Sequence, residues 1–290
     1  MKTIDIVGGG KVGKTLARLW SVGQVFGVRC VLNRSLQSAT EAVDFIGAGR
    51  PIESYADLEP ADLTMISTPD EAIEQCCLRL CEAGVLRPGT IVFHCAGSLS
   101  SELLAPARSQ GALIAGLHPV KSFADPATAV ETFAGTFCAV EGDRPARETL
   151  EDAMHGCGAK CFHVEPDQKT IYHAATVIVC NYLVALMEAG LRCFEQSGMS
   201  RETATEVMEP IVSGTVGNLF ELGPVGALTG PIARGERRVV QRQCEALGRW
   251  DEDIEAIYKS LGRLAVELSA AAGNADPEAL AAIEQSLKFE

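Results

Sequence analysis

Short apolar runs alternate with longer mixed segments along the first part of the chain, and each run has the length of a buried strand. Residues 63–67 form one such run, which ends at Thr68-Pro69-Asp70. Strands that alternate with helices in this rhythm pair in parallel and carry helices on both faces of one sheet. The pattern therefore predicts a doubly wound α/β domain with strands at residues 4–7, 28–32, 50–52, 63–67, 90–94, 113–118, 136–141 and 160–164.

After residue 164 the pattern becomes helical, and no further strand is predicted. Glu165-Pro166-Asp167 suits a helix start, because proline is tolerated at the first helical position. A long apolar helix is predicted to run from there through about Ser197, where Gly198 ends it. Further helices are predicted at residues 201–222, 233–247, 251–272 and 277–287. We therefore divide the chain into a sheet domain, residues 1–165, and an all-helical domain, residues 166–290.

The first predicted strand leads directly into Gly8-x-Gly10-x-x-Gly13 and then into a helix-like segment. Gly8 permits a tight turn, Gly10 lets the backbone approach a pyrophosphate, and Gly13 lets the helix pack closely on the strand. The phosphates would then meet free N–H groups at the helix start, those of Lys11 and Val12 included. A turn without a ligand is the alternative, but the order strand, turn, helix favours the dinucleotide site of a Rossmann-type domain.

The end of the second predicted strand indicates which dinucleotide is bound. An NAD site has an acid near this position for the ribose 2′-hydroxyl, and here the chain has Asn33-Arg34-Ser35 instead. The planar fork of Arg34 suits a 2′-phosphate, while Asn33 and Ser35 offer neutral hydrogen bonds. A solvated surface arginine is the alternative. We interpret the three residues as a site for NADP.

Charge and composition exclude several classes of partner. The 290 residues are 47% hydrophobic and carry a net charge of −13, which disfavours nucleic acid or an anionic membrane surface as a partner. The N-terminus lacks the pattern of a signal peptide, and the most apolar helix, residues 174–187, is too short to span a bilayer. We expect a cytoplasmic protein in which this helix is buried in a core.

The 11 cysteines give no indication of a metal site or of a disulfide framework. They include no Cys-x-x-Cys pair and no Cys/His spacing typical of zinc. We expect reduced, mostly buried thiols and no bound metal.

Several polar residues follow the predicted strands at the edge where open α/β sheets bind ligands. Thr68 and Pro69 come after one strand, His94 and Ser98 lie at the end of the next, and His118 ends a third. We expect Thr68 and Pro69 beside the cofactor and His94, Ser98 and His118 beside the substrate.

The long helix that opens the second half carries a polar stripe. At about 100° per residue, Lys169, His173, Asn181 and Glu188 share roughly one third of the circumference of an α-helix. Polar groups on an otherwise apolar helix are costly unless they face water, a partner or a ligand. Solvated positions are the alternative for Lys169 and Glu188, and a satisfied core histidine is the alternative for His173.

A second candidate substrate contact lies in a glycine-rich segment, residues 223–235. Thr229 and Gly230 break one predicted helix, and Arg234 and Arg237 follow in the first turns of the next. Arginines at a helix start suit a carboxylate. An ordinary turn with surface arginines is the alternative.

The glycine motif, the Asn33-Arg34-Ser35 strand end, Thr68-Pro69-Asp70 and the all-helical second half resemble the superfamily of 6-phosphogluconate dehydrogenase, ketopantoate reductase and pyrroline-5-carboxylate reductase. Within it, the chain is most similar to Rossmann-like proteins whose C-terminal helical domain is of unknown function. That similarity covers most of the chain and rests on His94-x-x-Gly97-Ser98, Gly116-Leu117-His118-Pro119-x-x-x-Phe123, Tyr172-His173-x7-Asn181-Tyr182 and Leu228-Thr229-Gly230-Pro231-Ile232-Ala233-Arg234-Gly235. The resemblance implies a homodimer, nicotinamide hydride transfer, and a substrate between the two domains. It also favours substrate binding by Thr229, Gly230 and Arg234.

The chain departs from the reductase pattern at the chemistry. Ketopantoate reductases have a catalytic lysine followed by asparagines at four-residue steps, whereas here Lys169 is followed by His173, Val177 and Asn181. Lys169 and Asn181 would lie about 18 Å apart on an unbroken helix, too far for one small substrate to contact both. We place the reacting group near His173 or Asn181, with His173 as the proton relay. Lys169 stays an alternative proton donor.

Two functions of different classes follow. The first is an NADP-dependent oxidoreductase that transfers hydride to a small carboxylate-bearing carbonyl or imine, with a ketopantoate-like 2-oxo acid as the first candidate. The second is a non-catalytic NADP-binding sensor or scaffold, because the fold does not determine the function.

Overall fold

The structure, a computed structural model, describes residues 1–289 and contains one eight-stranded sheet. The strand order is β3-β2-β1-β4-β5-β6-β7-β8. The first six strands are parallel, whereas β7 pairs antiparallel with β6 and β8 pairs parallel with β7. The predicted fold class is confirmed. The strands are β1 (Thr3–Val7), β2 (Gly27–Leu32), β3 (Arg50–Ile52), β4 (Leu63–Ile66), β5 (Ile91–His94), β6 (Leu113–Pro119), β7 (Phe137–Gly142) and β8 (Lys160–His163).

Helices follow most strands and then make up the rest of the chain. In the first part they are α1 (Lys11–Val22), α2 (Leu36–Ile46), α3 (Ile73–Glu82), α4 (Ala105–Arg108), α5 (Pro126–Glu131) and α6 (Arg144–His155). After the last strand they are α7 (Lys169–Thr176), α8 (Tyr182–Gln196), α9 (Arg201–Ala227), α10 (Arg237–Gly248), α11 (Glu252–Ala272) and α12 (Pro277–Ser286). The strand pattern alone predicted none of α4, α5 and α6, which are short or begin with proline in their first turn.

Apolar side chains fill both faces of the sheet, as expected for mostly parallel strands buried on two sides. On one face Trp20 packs edge-on against Phe26 and Phe93, with ring centroids 5.3 and 6.2 Å apart. On the other face the core includes Ile73 and Leu104. This packing fixes the strand ends, and therefore the polar residues that follow them.

The chain forms two compact units, the first of which is Met1–Asn181, while the second begins at Tyr182. The first unit contains the sheet together with α7. The second has a small apolar core of its own, formed by Ile232, Val240, Cys244, Val266, Leu280, Ile283 and Leu287.

The predicted long apolar helix is neither regular nor buried. A single π-helical turn, Val177–Asn181, lies between α7 and α8, so a helical wheel drawn through Lys169 and Asn181 is wrong beyond Thr176. None of residues 174–187 is buried, and Val179 is 72% exposed. The prediction that the segment is too short to cross a membrane is also wrong. Including its first turns, Pro166–Gln196 spans 31 residues and contains an 18-residue window of mean hydropathy 1.7, so it is long and apolar enough by length and composition.

The start of α10 also differs from the prediction. The helix was expected from residue 233, but the segment before Arg237 forms tight turns, in which Gly235 has a φ of +69°. Arg234 therefore lies in a turn and not in the first turn of a helix. The end predicted at residue 222 agrees better, because Gly223, with a φ of +72°, interrupts α9 there.

Candidate active site

The glycine-rich turn, residues 8–13, packs against the end of β4 on one side and faces free space on the other. Gly8 has a φ of +97°, and a Cβ there would lie 2.8 Å from the Thr68 backbone nitrogen. A Cβ on Gly13 would collide with the Ser67 hydroxyl and the Gly8 carbonyl. Around Gly10, by contrast, a Cβ would meet no atom within 4 Å. The turn is thus closed toward the protein and open where a ligand would approach.

The first turn of α1 offers unpaired backbone donors beside this open space. Gly10 is its N-cap and supplies no side-chain cap, and the first turn contains no acidic residue. The first N–H groups of a helix lack intrahelical partners, so those of Lys11, Val12 and Gly13 are available to an anion. The Lys11 ammonium is already engaged, because it donates to the Ala124 carbonyl at 2.7 Å. These residues fit the pyrophosphate of a dinucleotide.

The three residues that follow β2, Asn33, Arg34 and Ser35, differ in their hydrogen bonding. Asn33 accepts a hydrogen bond from the Gly9 N–H at 2.6 Å and so braces the glycine-rich turn. Ser35 caps α2 through the Ser38 N–H. Arg34 is exposed and makes no hydrogen bond or ion pair within residues 1–289. Of the three, Arg34 is the side chain left free for a 2′-phosphate.

Two further strand-end residues lie beside the turn. Thr68 follows β4, and its hydroxyl is buried without a hydrogen-bond partner in the described part of the chain. Pro69 precedes a short 3-10 turn that begins at Asp70, whose carboxylate accepts a hydrogen bond from the Ser98 hydroxyl at 3.2 Å. A buried hydroxyl without a partner is costly, and a bound ligand could satisfy it.

The missing side chain of Gly116 leaves space on one face of the sheet, and a buried ion pair of Lys169 and Glu141 occupies it. His94, Gly116 and Glu141 are directly opposite one another on β5, β6 and β7, so their side-chain positions share one face of the sheet. Gly116 leaves the middle position empty. A Cβ there would collide with a Glu141 carboxylate oxygen and lie 2.8 Å from the Lys169 Nζ.

The buried pair itself is well hydrogen-bonded. The Lys169 Nζ donates to Glu141 Oε1 at 3.3 Å and to the Ala96 carbonyl at 3.1 Å. The Glu141 carboxylate also accepts from the Ser101 N–H and hydroxyl, both at 2.7 Å. Burial lowers the pKa of Lys169, and the neighbouring Glu141 carboxylate opposes that shift. The solvated position considered for Lys169 is therefore wrong.

Two histidines and a tyrosine meet beside this pair. A Cβ on Gly97 would collide with the His173 ring and lie 2.9 Å from His118 Nε2, so both imidazoles border Gly97. The ring centroids of His118 and His173 are 5.7 Å apart. Tyr172 OH and His118 Nδ1 are joined by a hydrogen bond of 2.8 Å. We call His94, His118, His173, Lys169 and Glu141 together the histidine site.

The protonation of these groups follows from their surroundings. Burial, with smaller contributions from His173 and Lys169, lowers the pKa of His118 to about 4. Burial raises the pKa of Tyr172 to about 12, so the phenol keeps its proton near neutral pH. The phenol has no other acceptor among the described residues, so its O–H donates to His118 Nδ1. His118 Nε2 then carries the proton.

His94 is also held neutral. Burial, and to a lesser extent Lys169, lowers its pKa to about 4. Its Nδ1 accepts from the Ala96 N–H at 3.2 Å, which leaves the proton on Nε2. That atom is buried and has no hydrogen-bond partner in the described structure.

The predicted site residues fall into two groups. His94, His118, His173 and Lys169 come together in the first unit, where His173 is half-buried and its ring nitrogens have no hydrogen-bond partner within residues 1–289. Asn181 is the exposed last residue of the π-helical turn. The sequence prediction missed Glu141, and it noted Tyr172 only within the Tyr172-His173 motif and not as a site residue. The signal for Glu141 was a lone acid in an apolar strand, but the opposing Gly116 became visible only with the strand pairing.

The other predicted substrate contacts belong to the second unit. The Arg234 guanidinium donates one hydrogen bond to each Glu236 carboxylate oxygen, at 2.8 and 3.0 Å. Thr229 lines an apolar cleft of about 520 Å³ between α8, α10 and α11, and Gly230 precedes the turns with a φ of +91°.

Comparison with known proteins identifies two family models on this chain. A model described as a Rossmann-like domain matches residues 2–119, and one described as a domain of unknown function, DUF2520, matches residues 136–265. A search of curated proteins finds no match to the sequence.

Solved structures share the fold over nearly the whole chain. The protein TM1727 from Thermotoga maritima is 21% identical, with a TM-score of 0.73 over 93% of this chain and 99% of its own. An imine reductase from Myxococcus stipitatus in complex with NADP⁺ is 17% identical, with a TM-score of 0.66 over 99% and 100%. A pyrroline-5-carboxylate reductase from Coxiella burnetii is 18% identical, with a TM-score of 0.58 over 99% of each chain. At these identities the likeness shows the fold alone.

Proposed function

The chain combines a Rossmann-like domain with a DUF2520 domain, and from this premise we propose that it is an NADP-dependent oxidoreductase. Its substrate is a small carboxylate-bearing carbonyl or imine, with a ketopantoate-like 2-oxo acid as the first candidate. One observation carries the proposal: His118, which is hydrogen-bonded to Tyr172, and His173 both border Gly97, at the sheet edge that also carries an open glycine-rich turn. The imine and pyrroline-5-carboxylate reductases of the same fold support it.

The cofactor would be held by the glycine-rich turn and by Arg34. The N–H groups at the start of α1 would bind the pyrophosphate, and the free guanidinium of Arg34 would bind the 2′-phosphate. Bound NADPH supplies the hydride. Thr68 and Pro69 would border the cofactor at the end of β4, where the buried Thr68 hydroxyl, which lacks a hydrogen-bond partner within residues 1–289, would be available to it.

The proton that accompanies the hydride would come from His173. Its ring nitrogens have no partner within the described residues, so it can exchange a proton with water and deliver it to the substrate. His118 is fixed by Tyr172 and offers its Nε2–H as a hydrogen bond to the reacting oxygen or nitrogen. Lys169 is a poor donor because its ammonium is already shared between Glu141 and Ala96.

The remaining substrate contacts complete the proposal. His94 and Ser98 lie on the same strand-end segment as Gly97. Asn181 would orient the substrate or the nicotinamide. Thr229, Gly230 and Arg234 would bind the carboxylate, with the substrate replacing Glu236 on the Arg234 guanidinium.

Activity is tested by following NADPH absorbance with a panel of 2-oxo acids and cyclic imines. With an active substrate, His173→Ala should lower kcat about 100-fold and leave NADPH affinity nearly unchanged, as for loss of a general acid. His155→Ala, at an exposed histidine that ends α6, is the matched control. An inactive panel with tight NADPH binding would favour the sensor or scaffold function instead.

The cofactor choice is tested separately by fluorescence titration. NADPH should bind at least tenfold more tightly than NADH, a difference of about 1.4 kcal/mol, and Arg34→Asp should reverse the preference. Arg144→Asp makes the same charge change at another exposed arginine and should not. Equal dissociation constants in the wild-type protein would contradict the NADP assignment.

We also propose that the protein is a cytoplasmic homodimer formed mainly by the domain after residue 165. The exposure of Val179, Val184 and Phe220, at 72%, 70% and 85%, supports this, because such large apolar side chains are costly in water. Light scattering without detergent should give twice the chain mass at micromolar concentration. A monomer, or a protein that needs detergent to stay in solution, would contradict it.

A further inference from the structure

The buried pair of Lys169 and Glu141 is a costly feature that hydride and proton transfer do not use. The two side chains are 2% and 3% exposed, and taking charges out of water costs several kcal/mol per ion unless their hydrogen bonds are satisfied. Glu141 ties the pair to Ser101, and Lys169 ties it to Ala96. The pair therefore links α7 and β7 to the segment that follows β5.

The hydrogen bond from the Lys169 ammonium to the Ala96 carbonyl fixes the orientation of the Ala96–Gly97 peptide. The peptide between Ala96 and Gly97 is trans, so its carbonyl and its N–H point in opposite directions. With the carbonyl held by the Lys169 ammonium, the Gly97 N–H points away from Lys169. A cation on the carbonyl also polarises the peptide and makes its N–H a stronger donor.

The Gly97 N–H has no use inside the protein. Gly97 is buried, and its N–H has no hydrogen-bond partner within residues 1–289. Buried backbone donors are paired in the great majority of cases, so an unpaired one indicates a missing partner. The α-carbon of the same residue borders the rings of His118 and His173.

We propose that Glu141 and Lys169 are positioning residues that hold the Ala96–Gly97 peptide so that the Gly97 N–H binds a negatively charged oxygen of the substrate beside His118 and His173. The identity of that oxygen rests on the proposed function, whereas the orientation of the peptide does not. Donors fixed in advance toward such an oxygen need no reorganisation when the substrate reacts.

The charge of Lys169 has a second effect on the same site. It helps to lower the pKa of both His94 and His118 to about 4, although burial is the larger cause in each. Removal of the ammonium should therefore let both imidazoles titrate closer to their ordinary range. This effect gives a spectroscopic readout that does not depend on activity.

The test compares full-length wild-type protein with Lys169→Met and with the double variant Glu141→Gln/Lys169→Met. The double variant removes both charges together, which proteins often tolerate better than one unpaired buried charge. Arg144→Met, at an exposed residue, is the matched control for loss of a positive charge. Proteins labelled with ¹⁵N-glycine and ¹³C-histidine are studied by NMR, first free and then saturated with NADPH and titrated with oxamate, an unreactive 2-oxo acid analogue.

In the free protein, the Gly97 amide resonance should shift in both Lys169 variants and not in the control, because the hydrogen bond on the adjoining carbonyl is lost. The titration midpoint of His118 should rise in both variants. With oxamate, the wild-type Gly97 amide proton should move downfield, and the dissociation constant of oxamate should increase at least tenfold in both variants.

The proposal is overturned if the Gly97 amide and the His118 titration in the variants match those of wild type. It is also overturned if oxamate binds wild type without moving the Gly97 amide. Failure of the proposed function looks different. In that case no 2-oxo acid is reduced and oxamate does not bind, which refutes the substrate-binding part, while the free-protein spectra still decide whether the pair orients the peptide.

Discussion

The glycine-rich turn and the histidine site both depend on glycine at one edge of the sheet, but for opposite reasons. Gly10 faces open space, where an added Cβ would meet nothing within 4 Å. Gly97 and Gly116 face the protein, where an added Cβ would collide with His173 and with Glu141. Glycine in the first region leaves open space beside the start of α1, and in the second it makes room for the side chains of the histidine site. A glycine at a strand end therefore does not by itself indicate a phosphate site.

The largest difference between the two regions should appear in the stability of the variant Gly116→Ala, in the histidine site. The added methyl group competes with Glu141 and Lys169 for the same volume, and a buried pair forced apart leaves uncompensated charges. We expect the free energy of unfolding to fall by about 3 kcal/mol. Urea denaturation measures it. Gly214→Ala, in α9, where an added Cβ meets nothing within 4 Å, is the control and should cause no loss. An equally stable Gly116→Ala would mean that the two regions do not differ.

The second prediction uses pH, because only the histidine site buries neutral imidazoles. Folding lowers the pKa of His94 and His118 from 6.5 to about 4, so below pH 6.5 the unfolded chain binds more protons and stability falls. Buried Asp5 opposes this, since folding raises its pKa from 3.8 to about 6, and its destabilising effect weakens as the pH falls.

Between pH 7.5 and pH 5.5 the free energy of unfolding should therefore drop by about 2 kcal/mol in wild type and by about 3 kcal/mol in Asp5→Asn. Denaturation at both pH values measures the two drops. If stability is equal at both pH values in Asp5→Asn, the two histidines are not held neutral.

The smallest effect is expected for Gly10→Ala. The protein has room for the methyl group and the residue has a φ of −72°, so the free energy of unfolding should change by less than about 1 kcal/mol. The methyl group would lie where the pyrophosphate approaches, and the dissociation constant of NADPH should rise about tenfold, or 1.4 kcal/mol. Unchanged NADPH affinity would remove the turn from the cofactor site.

Short sequence motifs and strand patterns predicted the glycine-rich turn better than the histidine site. The spacing of Gly8, Gly10 and Gly13 after a strand has a direct physical meaning, and the structure has the predicted strand, turn and helix there. The same rules found His94 and His118, because the carboxyl ends of parallel strands share one edge. They failed for Glu141, which lies on the antiparallel β7 and meets Gly116 only through that pairing.

The helix after the sheet shows a second limit. Lys169 lies four residues before His173, a spacing that is equally compatible with an exposed face of the helix. Only its contact with Glu141 on β7 reveals that Lys169 is buried. The π-helical turn at Val177–Asn181 has no composition that marks it in advance. It changes the direction of every later side chain, so the predicted stripe through Asn181 and Glu188 could not hold.

The row of His94, Gly116 and Glu141 also bears on how the strands find their alignment during folding. If β6 slipped by two residues, Ile114 or His118 would replace Gly116 between its two neighbours and its side chain would occupy the gap. The Lys169 ammonium would then have no place beside its carboxylate and would be buried unpaired, at a cost of about 3 kcal/mol or more. Apolar strands alone discriminate poorly between alignments two residues apart, because each such shift returns the same faces to the core. A single missing side chain, matched to a single charged pair, makes only one of those alignments acceptable.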